Sequence, residues 1–284
     1  MSLLVILAAL YGVKTDKYVT IIFTNDINGS LPLSQAYWVS LELPPDLGNA
    51  KSLNVLLNKE RSKNEVILLN SGNLAPFNIP GEEKTPEELV CFLNELKFDA
   101  SLIGTNELSY GSDFLYKLKI GTSTKFLSAN LYGEQIRYII TTKNDLKIGI
   151  FGLTSPYALL FVPSRYRDEI NINLELGKVA KNVVDSLKER GAEIIIGLSD
   201  AGFRNDSIIA ENVAGIDCII GSGSIGRVLR EPFETPTNHT LLTKAYNDLS
   251  SAGKLILYLD EDNNISGYHH ELITLFLEEY PPYK

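Results

Sequence analysis

Several apolar runs in this sequence close on short polar turns rich in Asp, Asn and Gly, and those turns are where chemistry could be done. Val19-Thr-Ile-Ile-Phe23 leads into Thr24-Asn-Asp26-Ile-Asn28-Gly29. Glu65-Val-Ile-Leu-Leu69 leads into Asn70-Ser-Gly-Asn73, and Asp99-Ala-Ser-Leu-Ile103 into Gly104-Thr105-Asn106-Glu107. Later, Glu193-Ile-Ile-Ile-Gly-Leu198 ends in Ser199-Asp200, and Asp217-Cys-Ile-Ile220 ends in Gly221-Ser-Gly223-Ser-Ile225-Gly226. A buried strand that delivers an acidic or amide side chain into such a turn is how α/β folds place chemistry at the carboxyl edge of a sheet. Brought together, Asp26, Asn28, Asn73, Thr105, Asn106 and Asp200 would form an oxygen-rich cluster suited to one hard divalent cation such as Mg, Ca or Mn.

The elements needed to position these turns are legible in outline. Helices are predicted over Asn49–Asn58, Thr85–Lys97, Leu174–Arg190 and Ser207–Val213. The third is the clearest, with Leu176, Val179, Val183 and Leu187 on one face and Gly191 as its stop. Further strands are predicted near Phe126–Ala129, Tyr138–Thr142 and Lys147–Leu153. Past Pro236, Thr240–Ala245, Lys254–Asp260 and Tyr268–Phe276 read as antiparallel segments. Leu31–Leu47 has no sustained period and reads as a long loop. Its Tyr37, Trp38 and leucines offer a contact surface, unless they pack on the protein's own core. The fold class is α/β with two mixed sheets flanked by helices.

Composition narrows the function classes. With 44% hydrophobic and 21% charged residues, the chain has the make-up of a folded protein with a large core. A formal net charge of −9 and the lack of any long basic run argue against a nucleic-acid partner. Cys91 and Cys218 match no metal-ligand spacing. The apolar run Ser2–Val13 is too short to span a bilayer and has the length of an export signal, the alternative being a buried strand or helix. Residues 1–16 are therefore set apart from a single domain over 17–284. Gly221, Gly223 and Gly226 match the G-x-G-x-x-G pattern of dinucleotide sites. That pattern needs a helix to begin at the glycines, and Pro232 and Pro236 interrupt it too soon.

Taken in order, the turns resemble the calcineurin-like metallophosphoesterases, specifically the catalytic domain of the 5′-nucleotidase family, from about Thr20 to Leu275. Thr24-Asn-Asp-Ile-Asn-Gly29 is similar to that family's T-N-D-x-H-G, and Leu68-Leu-Asn-Ser-Gly-Asn73 to its L-L-D-A-G-D. Phe98 to Gly111 resembles Y-D-A-x-x-x-G-N-H-E-F-D-Y-G, and Gly215 to Ile225 resembles G-I-D-x-I-I-G-G-H-S-H. The resemblance implies a sandwich of two mixed β-sheets flanked by helices. It also implies two divalent metals, about 3.5–4 Å apart, that clamp a phosphate and generate hydroxide.

Carried over residue by residue, the implied metal positions are Asp26, Asn28, Asn73, Thr105, Asp200, Gly223 and Ile225, with Asn106 where the family has its catalytic histidine. Of these, Asp26 alone keeps the family's residue. Two divalent cations so close repel strongly unless an anion bridges them, and the amide of Asn73 is not an anion. The expectation is a pseudoenzyme with no metal cofactor that binds a small ligand or a protein partner. The alternatives are a divergent phosphoesterase using one hard cation, and a purely structural or interaction subunit. The resemblance further suggests a periplasmic or extracellular protein. The C-terminal domain that binds the nucleotide base in that family is expected to be absent here.

Overall fold

A computed structural model describes residues 17–79, 85–133, 135–223 and 229–282. The apolar segment 1–16 and Ile225 lie outside these residues. In chain order the strands are β1 (Lys17–Thr24), β2 (Ser34–Gln35), β3 (Asp46–Leu47), β4 (Val66–Asn70), β5 (Ala100–Leu102), β6 (Lys125–Leu127) and β7 (Tyr138–Lys143). They continue as β8 (Leu146–Leu153), β9 (Ile194–Ser199), β10 (Cys218–Gly221), β11 (Phe233–Glu234), β12 (Leu241–Thr243), β13 (Ser251–Leu259) and β14 (Ile265–Thr274). One six-stranded sheet has the order β14-β13-β1-β4-β5-β6, and the other β11-β12-β10-β9-β8-β7.

β1 runs parallel to β4, with Thr20 opposite Val66 and Thr24 opposite Asn70, and β4, β5 and β6 continue parallel. In the second sheet β8, β9, β10 and β12 are parallel. Strands that share a direction end at one edge. The turns after β1, β4 and β5 therefore meet the turns after β9, β10 and β12. Parallel strands covered on both faces need near-continuous apolar runs. That is what Ile67-Leu-Leu69 and Ile194-Ile-Ile196 supply, every one of them buried.

The sheets pack face to face through Val19, Ile21, Phe23, Ile67, Leu69, Ile148, Ile150, Ile194, Ile196 and Leu198. Outside the first sheet lie α1 (Asn49–Arg61), α2 (Glu87–Leu96), α3 (Thr105–Ser109) and α4 (Gly111–Ile120), followed along the chain by α5 (Ser164–Arg167). Outside the second lie α6 (Leu176–Glu189) and α7 (Phe203–Asn212). Helix α6 buries Leu176, Val179, Ala180, Val183, Val184 and Leu187, the stripe its sequence predicts.

Two local expectations differ from the structure. β12 is parallel to β10, with Cys218 opposite Leu241, rather than part of an antiparallel tail. It is buried throughout and has no alternation to read, and the long connection from β10 permits a parallel crossover. Helix α4 has no counterpart in the sequence reading. The segment Leu31–Leu47 is a loop pinned by the short β2–β3 ladder; Leu31, Ala36 and Leu47 pack inward, but the apolar side chains at its tip do not fold back on the core. Trp38, Leu41 and Leu43 are 64%, 83% and 84% exposed.

Ile196, fully buried between the sheets, tests this packing. Ile196→Ala should lower stability by about 2–5 kcal/mol, the range for emptying a well-packed core position. Urea unfolding checks it: the midpoint falls while the slope is unchanged.

Candidate functional site

Asp26, Asn28 and Asn73 all adopt left-handed backbone, with φ of 46°, 53° and 55°. Asp and Asn tolerate this region better than other non-glycine residues. Turns held this way aim their side chains across the sheet edge rather than along the strand. The two loops are tied together by backbone bonds from Asp26 N to Gly72 O (3.0 Å), Asn28 N to Asn73 O (2.9 Å) and Gly29 N to Leu74 O (2.9 Å). Gly104 admits no side chain, because a Cβ there would lie 2.5 Å from Asn73 N. That close approach brings the start of α3 against Asn73.

The side chains form one hydrogen-bonded cluster. Asn73 donates through Nδ2 to Asp26 Oδ1 at 2.9 Å and to Asp200 Oδ1 at 3.0 Å, and its Oδ1 accepts from Asn106 N at 3.1 Å. Asp26 Oδ1 also accepts from Gly223 N at 2.9 Å. Its Oδ2 takes Asn25 Nδ2 at 3.0 Å and the Lys244 ammonium at 3.0 Å. Asp200 Oδ2 accepts from Thr105 N at 2.9 Å and Thr105 Oγ1 at 2.6 Å, at the start of α3. Ser222 Oγ approaches Asp200 Oδ1 at 3.4 Å. Asn106 donates to Asn28 Oδ1 at 3.0 Å and to Ala75 O at 2.8 Å, and Asn28 donates to Asp248 Oδ1 at 2.9 Å.

The structure thus brings together Asp26, Asn28, Asn73, Thr105, Asn106, Asp200 and Gly223. Among the described residues no group of three or more His, Cys, Asp or Glu side chains is placed to hold a metal ion. Sequence reasoning missed Lys244, Asn25, Asp206 and Asp248. The signal available for Lys244 was its place just past the apolar run Leu241-Leu242, another strand end. The histidines lie away from the cluster: His239 is exposed beside Glu234, and His270 is half-buried against Phe23 with a ring nitrogen 2.8 Å from Thr243 Oγ1.

Buried carboxyls surround the cluster. Burial pushes Asp200 up from its ordinary value; the bonds from Thr105 pull it back, and the nearby charge of Asp26 adds to the push. Asp206 in α7, bonded by the Ser199 hydroxyl, is raised by burial to about 7. Glu107 is likewise raised by burial to about 7, although Gly104 N (2.7 Å) and Ala75 N (2.8 Å) donate to it. Through those bonds Glu107 braces the loop that carries Asn73.

A buried acid whose folded value lies above its unfolded one keeps its proton in the fold after the unfolded chain has lost it. Its contribution to stability is therefore present at low pH and is lost as pH rises, here from about 4 to about 7 for Asp206. Wild type should lose more stability between pH 4.5 and 8 than Asp206→Asn does. Urea midpoints of both proteins at the two pH values measure the difference.

No protein-family model matches the chain. Its sequence is 27% identical to human 5′-nucleotidase over 240 residues, 78% of this chain and 40% of the relative. Its structure is similar to a 5′-nucleotidase precursor from Thermus thermophilus, with a TM-score of 0.80 and 20% identity over 94% of this chain and 56% of the other. It is also similar to the calcineurin-like phosphoesterase YfkN from Bacillus subtilis, with a TM-score of 0.73 and 19% identity over 91% of each chain. The chain spans 17% to 40% of the length of the first curated relatives it matches. Sequence relatives and structural neighbours are 5′-nucleotidases and calcineurin-like phosphoesterases, and the two mixed sheets flanked by helices are the metallophosphoesterase fold of those neighbours.

Proposed function

We propose that this domain is a pseudoenzyme: a phosphoesterase scaffold that does not perform two-metal phosphoester hydrolysis and serves instead to bind a small ligand or a protein partner. The observation that carries this reading is the Asn73 amide, which donates one hydrogen to Asp26 and the other to Asp200. A metal pair needs an anion between its members, and a neutral amide in donor contact with both carboxylates is the opposite arrangement.

The donor set argues the same way. An ionised carboxylate has about four lone-pair sites. On Asp26 they face Asn73, Gly223, Asn25 and Lys244, and on Asp200 they face Asn73, Ser222 and Thr105. Asp26 has no lone pair to spare for a cation unless protein donors leave, and Asp200 has at most the one facing Ser222, whose hydroxyl lies nearer Ser199 O (3.2 Å) than Asp200 (3.4 Å). Imidazole, the preferred donor for transition metals, does not reach the cluster from any described residue. These residues do not fit the metal pair of the family. The single hard cation of the alternative reading meets the same donors on Asp26.

Binding in place of catalysis is supported by the exposed apolar tip of the loop between β2 and β3, where Trp38, Leu41 and Leu43 face solvent. Clustered exposed apolar side chains of this kind are a feature of contact surfaces. The domain is read as a single unit over 17–284. It is assigned to a periplasmic or extracellular compartment on the strength of the apolar run Ser2–Val13. No helix among the described residues is long and apolar enough to cross a membrane.

The deciding experiment is metal analysis of protein purified without chelator, together with nucleotide hydrolysis assays under added Mn²⁺. Expected are less than one equivalent of metal per chain and no turnover above that of an Asp26→Ala control. Two tightly held metals with turnover abolished by Asp26→Ala would defeat the reading.

A further inference from the structure

Lys244 follows β12, and its ammonium reaches back across the sheet edge to Asp26 Oδ2 at 3.0 Å. The same ammonium donates to Gly223 O at 2.6 Å. Its side chain is 13% exposed and that of Asp26 1%. The structure assigns to Lys244 the role of a tethered counter-cation: it supplies at Asp26 the positive charge that a divalent ion would otherwise provide, and it closes the cluster to such ions. The inference rests on the loss of two-metal chemistry proposed above and names the residue that enforces it.

A carboxylate as buried as Asp26 cannot stand without a compensating charge, because removing an ion from water is costly unless it is paired and hydrogen-bonded. Lysine suits the task as a compact charge on a flexible four-carbon stem with rotatable donors. Here the stem begins on the second sheet and the charge ends on a turn of the first, so the ion pair also ties the two sheets together. A divalent ion approaching Asp26 would meet like charge at contact distance, and it would have to expel an ammonium that the chain itself keeps in place.

Gly223 is the other half of the arrangement. Its N–H donates to Asp26 Oδ1 while its carbonyl accepts from Lys244, so one peptide segment is held by both members of the ion pair. Its φ is +91°, and a Cβ there would lie 3.3 Å from Asp200 Oδ1. A side chain at 223, where the resemblance places a histidine, would be strained in this backbone and would press on Asp200. In the backbone that receives Lys244, a ligand side chain at 223 would have to bear that strain, and glycine avoids it.

The assignment is tested on wild type, Lys244→Gln, Asn73→Asp, and Lys244→Gln combined with Asn73→Asp. Calorimetric titration with MnCl₂ should give no saturable binding to wild type. Binding to the double variant should be saturable and at least about tenfold tighter than to Asn73→Asp alone, which keeps Lys244, a difference of about 1.4 kcal/mol. Reductive methylation mapped by peptide mass spectrometry provides a measurement that needs no variant of the cluster to fold. Lys244 of wild type should react far more slowly than Lys178, whose side chain is 71% exposed. Where Asp26→Asn folds, Lys244 should become reactive. Wild type that binds Mn²⁺ as tightly as the double variant would overturn the assignment, as would a folded double variant that still binds none. If Lys244 is reactive in a wild type that neither binds Mn²⁺ nor turns over nucleotide, this assignment fails and the functional reading stands. Turnover with Lys244 protected and Mn²⁺ unbound would have the opposite meaning.

Discussion

Two carboxylates, Asp26 and Asp200, are buried within hydrogen-bond reach of a single side chain, and the edge where the two sheets meet depends on how their charges are met. Like charges at this separation repel in an interior that screens poorly. Asn73 meets the problem with its amide hydrogens, Lys244 with an ammonium, and Thr105 with a hydroxyl and a helix-terminal N–H. Each of these donors comes from a different strand end or helix start. The charge problem and the assembly of the sheets are consequently one problem, because the Lys244 ammonium on Asp26 and the Asn73 and Thr105 donors on Asp200 cross from one sheet to the other.

The two six-stranded sheets explain how so many elements reach one place. β1, β4 and β5 are parallel within one sheet, and β9, β10 and β12 within the other. Their apolar runs bury against each other and leave only their carboxyl ends polar. Glu107 then fixes the turn after β4 from the side through Ala75 N and Gly104 N. The network continues outward through Asn106 and Asn28 to Asp248, so the interior charges grade into a solvated rim. A polar network with every member satisfied rigidifies its surroundings, and a gap in it would be costly.

The parts of this arrangement that were legible in sequence share a physical cause. A strand buried on both faces must be apolar and must stop at a residue that tolerates a turn, so Phe23 before Asp26 and Leu69 before Asn73 announce themselves. Helix α6 was legible because six buried positions repeat at helical spacing. Helix α4 was not, since it opens on Gly111 at φ 83° and buries only Phe114, Leu115 and Leu118 beyond that glycine. β12 is three buried residues with no alternation, which hid both its direction and the lysine after it. No local pattern marks Lys244 as the partner of Asp26. The pair exists only through the stacking of two sheets, and a lone lysine after a short apolar run reads as a solvated residue. Likewise the exposed Leu41 and Leu43 could not be told from buried leucines by type alone.

The amides at the centre have a property that a histidine or an aspartate lacks. Asparagine is close in shape to aspartate but donates as well as accepts, and it tolerates the left-handed backbone that Asn28 and Asn73 occupy. An aspartate at position 73 would keep the shape and add a third buried carboxylate, which demands cations from outside. An asparagine keeps the shape and removes the demand, since its two hydrogens fall on the carboxylates already there. The strained turns at Asp26, Asn28 and Asn73 need a partner that over-determines them if they are to persist. In a metal-bound edge the ions would be that partner; here the amide hydrogens and the Lys244 ammonium are. Under the proposed reading, one kind of substitution both withdraws the metal ligands and supplies the bonds that hold the edge in their absence. Loss of metal chemistry then requires no change of fold.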